Sequence, residues 1–226
     1  SEEEMEIEIL LVLPPIFQYG SFQITTTVVY TWIIMAIVTI LFALLGRRLK
    51  LRPGRLQNAL EWLVEMLDGL IGAVIPHQHR ILLPLVGTLA IFIAAANLGG
   101  LIPGIKSPTI DLNTPLALAI VVFFSVHYYG IRQKGIVGHL RHYVEPIFIM
   151  LPIEIASELA RTMSLTFRLF GNILGEEIVI AVLFLILPVL IPVPMMLFSI
   201  FTSLIQAYVF TMLTVVYLSG AVQAHE

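Results

Sequence analysis

The chain has 226 residues, 58% of them hydrophobic and only 12% charged, with a net charge of −3 and a mean hydropathy of +0.97. That balance excludes a soluble domain with a polar shell, and the negative sign argues against nucleic acid as a partner. With no cysteine in the sequence, disulfides and thiolate metal sites are excluded as well.

In chain order, residues 1–24 form an acidic segment expected outside the membrane; its start, Ser1 to Glu8, lacks the basic region of a cleavable signal. Residues 25–46 are a first apolar span, followed by Arg47, Arg48, Lys50, Arg52 and Arg55, a cluster that belongs on the cytoplasmic side. Residues 56–75 read as an amphipathic helix: Leu56, Leu60, Leu63, Leu67 and Leu70 recur at helical spacing while Glu61, Glu65 and Asp68 share another face. Residues 81–102 and 115–131 are two further spans, the second opened by Thr114 as N-cap and Pro115 at the first helical position, with a turn-rich loop between them.

Residues 147–220 make a hairpin turned by Pro188, Pro192 and Pro194. As a helix its first arm is roughly 60 Å long at 1.5 Å per residue, about twice the ~30 Å hydrocarbon core, so it must tilt steeply or break. A tilted wall of this kind suits a large round partner. The expected fold is one all-α membrane domain over 1–226, with five transmembrane helices and one amphipathic surface helix. The last two helices form the long tilted hairpin.

Basic residues set the orientation. With Arg161 and Arg168 set aside as intramembrane, nine of the other ten fall on the cytoplasmic side if 56–75 lies on the surface, and only Lys106 faces out. If that segment crosses, Arg80, Arg132, Lys134 and Arg141 move outside. The surface arrangement is therefore predicted, with the amino terminus outside and the carboxyl terminus inside.

The chemistry lies in the hairpin. Glu154, Glu158, Arg161, Leu165, Arg168, Asn172 and Glu176 follow one another at spacings of three and four, forming one helical stripe with Glu177 beside it. On the returning arm Ser199, Ser203 and Gln206 share a face, and a turn near 188–194 brings Gln206 close to Asn172 or Glu176. Arginine cannot shed its proton to escape desolvation, so an intramembrane Arg168 marks a functional site. Acids flank it along the axis. Protons can hop among carboxylates and trapped water on either side, but the fixed guanidinium repels one crossing directly. Two half-paths and a barrier result, and net transport needs a mobile carboxylate elsewhere that loses its proton on pairing with Arg168.

At this point the sequence resembles a known family. Ser164-Leu-Thr-Phe-Arg168-Leu-Phe-Gly-Asn172, then Glu177, Gln206-Ala-Tyr-Val-Phe and Tyr217-Leu-Ser219 closely resemble the a subunit of the membrane sector of F-type rotary ATP synthases. The resemblance covers most of the chain and is strongest from about residue 151. Asn97-Leu-Gly-Gly-Leu-Ile-Pro103 and Asp111-Leu-Asn113-Thr look like the family's outer-loop region. It implies that Arg168 is the stator arginine facing the carboxylate of the c-ring. Asn172, Glu177 and Gln206 would lie in the outer half-channel, and Glu154 in the cytoplasmic one. It also implies a ring of c subunits, b-type peripheral stalk subunits near the first span and surface helix, and the rest of the synthase as partners. The bacterial plasma membrane is the implied location, with the thylakoid membrane as alternative. One departure stands out: where some bacterial members carry a histidine this chain has Ser199, and where they carry a glycine it has Glu176. A carboxylate on one helix then stands in for an imidazole on the other, as in the plastid and cyanobacterial style.

The rival readings are a self-contained ion channel or secondary transporter, and a structural subunit of a respiratory complex. Glu154 and Glu158 lie near the cytoplasmic entrance, where simple solvation competes with proton conduction. Arg161 is expected to pair with Glu158 or reach headgroups, Gly171 and Gly175 to serve helix packing, and His127, beside Tyr128 and Tyr129, to join an interfacial belt. The pairs His77/His79 and His139/His142 lack carboxylate or cysteine partners, so neither a metal nor another cofactor is expected. No phosphate-binding loop is present, which leaves any ATP chemistry to partner subunits.

Overall fold

The computed structural model describes residues 15–19, 22–47, 50, 53–76, 79–102, 106–144, 150–186 and 192–222. The acidic stretch at 1–14, Arg48, Arg52, His77, part of the 103–113 loop and the proline turn at 187–191 lie outside them. Two short strands, β1 (Pro15–Tyr19) and β2 (Phe22–Thr25), pair antiparallel with Gln18 opposite Gln23 and Tyr19 opposite Phe22. This hairpin amends the all-α expectation; its run of aromatic residues, Ile24 and Thr25 favours extended pairing.

Six helices follow. They are α1 (Thr26–Gly46), α2 (Arg55–Val74), α3 (His79–Gly99), α4 (Asn113–Val144), α5 (Met150–Ile186) and α6 (Pro192–Val222). Among the described residues four segments are long and apolar enough to cross a membrane: Thr26–Gly46, His79–Gly99, Asn113–Ile136 and Val193–Val222. The charged α5 and the amphipathic α2 are not among them. In α1 most apolar side chains face outward, including Trp32, Ile37, Ile40 and Leu44, while Ile34, Val38, Phe42 and Leu45 form a half-buried flank and Thr27 is its buried residue; so broad an apolar exposure belongs in lipid.

Two apolar clusters bind the bundle. Leu89 and Ile93 of α3, Ala119 and Val122 of α4, Leu165 and Leu169 of α5, and Ala207 and Phe210 of α6 meet at its centre. Ile71 of α2, Leu82 and Val86 of α3, and Val215 and Leu218 of α6 form the second, so α2 is fastened to the bundle by one face while Leu56, Trp62 and Val64 stay exposed.

Helix α4 begins earlier than the expected Thr114 cap. The Asp111 carboxylate accepts from the backbone N–H and the side-chain amide of Asn113, doing the capping in place of Thr114. Its other oxygen accepts from Thr27 at 2.8 Å and from Thr25 at 3.4 Å, tying the outer loop to the head of α1. The chain continues past residue 131 to Val144 through Gly135, whose φ of 73° breaks the helix in a conformation that glycine alone adopts without strain. Between α3 and α4 the backbone closes tightly: a Cβ on Gly100 would stand 2.5 Å from the Cβ of Ser107 and 2.8 Å from its Cα.

Candidate functional site

Helix α5 carries its core and its polar groups on different faces. Leu165, Leu169 and Ile173, spaced by four, are buried, so Leu165 leaves the predicted polar stripe and points inward. Gly171 and Gly175 are exposed with nothing within 4 Å of where a Cβ would stand. Among the described residues no neighbour packs against them, and they leave an open, side-chain-free strip beside Arg168. Arg168 is half-buried, its Nη2 donates to Ser164 Oγ at 3.4 Å, and among the described residues it forms no ion pair.

One turn beyond, Asn172 Nδ2 donates to Gln206 Oε1 at 2.6 Å, so the two polar stripes meet across α5 and α6. Farther along, Glu176, Glu177, Ser199 and Ser203 line a cavity of about 310 Å³ together with Asn97 and Ser107. This cavity lies at the end of the bundle that holds the loop between α3 and α4. Ser107 bonds Thr109, which donates to Asn97 Oδ1 at 2.8 Å, and Lys106 and Ser107 line the same cavity as Glu177. Ser199 and Ser203 are almost fully buried. Asn97 Nδ2, Ser199 Oγ and Gln206 Nε2 have no protein hydrogen-bond partner among the described residues. Buried polar atoms need partners, and a cavity of this size with such a lining takes several waters.

The opposite end of α5 is arranged differently. Arg161 pairs with Glu154 at 3.7 Å and stacks over the Tyr217 ring at 5.7 Å, rather than reaching Glu158 as expected. One turn of helix separates the two acids, and Arg161, two turns from Glu154, takes the farther one because the tyrosine of α6 draws it sideways. Glu158 faces His127 at 3.4 Å, which moves His127 from an interfacial belt into the bundle interface. A cavity of only about 20 Å³ touches Glu158, Arg161, Thr162 and Tyr217. Arg168 stands between the ends, about 15 Å in axial rise from Glu158 and about 12 Å from Glu176 at 1.5 Å per residue.

The structure thus gathers Glu176, Glu177, Ser199 and Ser203 around one cavity and joins Asn172 to Gln206. It leaves Glu154 and Glu158 at the far end in separate pairs. Sequence reasoning passed over Asn97, Ser107 and His127 as site residues. A polar or ionisable residue inside an apolar span is itself a signal, and Asn97 and His127 both carried it. Among the described residues no cluster of three or more metal-ligating side chains occurs.

The family model described as ATP synthase A chain matches residues 28–219. The protein named ATP synthase subunit a 1 from Hahella chejuensis is 48% identical over 90% of this chain and 87% of its own length. ATP synthase subunit a 2 from a Bradyrhizobium species is 44% identical, over 92% of this chain and 93% of its own. ATP synthase subunit a from Moorella thermoacetica is 42% identical over 93% and 96%.

Proposed function

The chain belongs to the ATP synthase A chain family, and on that premise we propose that it is the proton-translocating stator subunit of a rotary F-type synthase. It works in a bacterial plasma membrane with a c-subunit ring, b-type stalk subunits and the rest of the complex. Five helices cross, α2 lies on the cytoplasmic surface, and α5 and α6 form a tilted hairpin. At about 55 Å, α5 is too long to stand upright in a ~30 Å core.

The carrying observation is Arg168: a permanent cation in the middle of α5, beside the open strip at Gly171 and Gly175, without an acid of its own chain among the described residues. A guanidinium without a carboxylate partner, next to that strip, is the complement of a carboxylate on an approaching helix. The outer half-path is the 310 Å³ cavity, which delivers protons past Glu176, Glu177, Ser199 and Ser203 to Asn172 and Gln206. Glu154 and Glu158 serve the inner half-path. A ring carboxylate arriving at Arg168 gives up its proton because the cation stabilises the charged form. After rotation it is reprotonated from the other side. Arg168 blocks the direct route, so each proton must travel with the ring, and 100 mV supplies about 2.3 kcal/mol per proton.

Arg168→Ala in the assembled complex tests this reading. ATP-driven proton pumping into inside-out vesicles is expected to fall to background, with the complex still assembled. Coupled pumping retained in that variant overturns it. A self-contained channel predicts instead that the purified chain alone conducts.

A further inference from the structure

Glu154 and Glu158 stand one turn apart on α5, yet their partners differ in kind. Arg161, which pairs with Glu154, never releases its proton. The partner of Glu158 is an imidazole: His127 Nε2 of α4 lies 3.4 Å from Glu158 Oε2, whose side chain is 13% exposed. The other ring nitrogen of His127 lies 2.9 Å from the Phe123 carbonyl oxygen. A carbonyl only accepts, so Nδ1 carries a hydrogen in both protonation states and fixes the tautomer. The nitrogen that gains and loses a proton is therefore Nε2, the one aimed at the carboxylate. Among the described residues, Arg161 of α5 and Tyr217 of α6 stand beside Glu158 around the same small cavity, and Arg161 carries Glu154 with it. The adjoining cavity of about 20 Å³ has room for one water.

We propose that His127 is a proton-exchange residue of the inner half-path, working as a unit with Glu158; this rests on the stator reading above. One proton is shared between Nε2 and the carboxylate. A second, arriving through the water-sized cavity, binds the carboxylate while Nε2 keeps its own, and release of either proton restores the pair. Nothing but N–H and O–H bonds is made or broken. The Glu154–Arg161 pair has no such freedom and holds the path open electrostatically.

The test uses inside-out vesicles carrying the whole complex, in which ATP hydrolysis draws protons from the exposed cytoplasmic face. Initial pumping rates are measured between about pH 5.5 and 8, the range over which imidazoles change charge. In His127→Gln, which keeps a hydrogen-bonding side chain but cannot titrate, the rate is expected to drop by up to about a hundredfold, the low end for a positioned proton-transfer group. The variant's pH profile should be flatter than that of the parent complex measured alongside it. The exchanged pair, His127→Glu with Glu158→His, keeps a titratable couple and is expected to recover the profile, which a purely structural role does not predict. His127→Gln with the parental rate and pH profile overturns the proposal, as does an assembled exchanged pair with a flat profile. Arg168→Ala, run in parallel, separates the two failures: if it alone abolishes pumping, the stator reading survives without the relay, and if it pumps, both fall.

Discussion

The two ends of α5 handle buried charge in opposite ways. At the outer end, two carboxylates and two serines surround a cavity of about 310 Å³, and several buried polar atoms have no protein partner among the described residues. At the other end, Glu154 pairs with an arginine and Glu158 with a histidine, and the space is about 20 Å³. A roomy site solvates charge with water, while a tight one must pair it. The same helix therefore has a roomy polar cavity on one side of Arg168 and tightly paired side chains on the other, and under the proposed function these are a reservoir and a narrow sequence of handovers.

The contrast can be broken most sharply at Glu177. Glu177→Gln removes a proton-binding group from the reservoir, and ATP-driven pumping is expected to fall by about a hundredfold; pumping near the parental level would mean that water alone suffices there. Glu176→Gln is expected to do less, because a second acid remains beside it, but unchanged ATP synthesis in that variant would remove it from the path. Asn97→Leu lines the same cavity with a branched apolar group and breaks the bond from Thr109, with an expected stability loss of about 1 kcal/mol read in thermal unfolding and a lower proton flux in the same vesicles. Gly100→Ala tests the cavity's wall. The added methyl meets the Ser107 backbone, and such overpacking costs about 1–3 kcal/mol, read as a lower unfolding temperature of the detergent-solubilised complex. The smallest effect is expected at the inner end from Glu154→Gln. Its partly exposed pair with Arg161 is worth under about 1 kcal/mol, and thermal unfolding should shift only slightly.

Helices and polar stripe were legible in the sequence because their signals are periodic and local. The apolar runs of α1, α3 and α4, the 3–4 spacing from Glu154 to Glu176, and the approach of Gln206 to Asn172 all follow from helix geometry and one proline-marked turn. What sequence periodicity could not give was partner choice across helices. Arg161 has Glu158 one turn away and Glu154 two turns away, and side chains of other helices bear on the choice: Tyr217 under the guanidinium and His127 against Glu158. His127 and Asn97 sat among apolar neighbours, and their roles depend on which helix they meet. The β hairpin was missed because it occupies a short segment read only for its charge. The start of α4 was misplaced because Asp111, which caps it, also answers to Thr27 more than eighty residues earlier in the chain.

That last contact has a mechanical side. Most of α1 presents apolar side chains outward, and its one buried residue, Thr27, is at the head of the helix, hydrogen-bonded to Asp111. Sideways force on this helix from a neighbouring subunit is not shared evenly along its length. Half-buried Ile34, Val38 and Phe42 brace one flank of the helix, and the threonine–aspartate pin fastens its head, so the loop before α4 takes the polar share of that load.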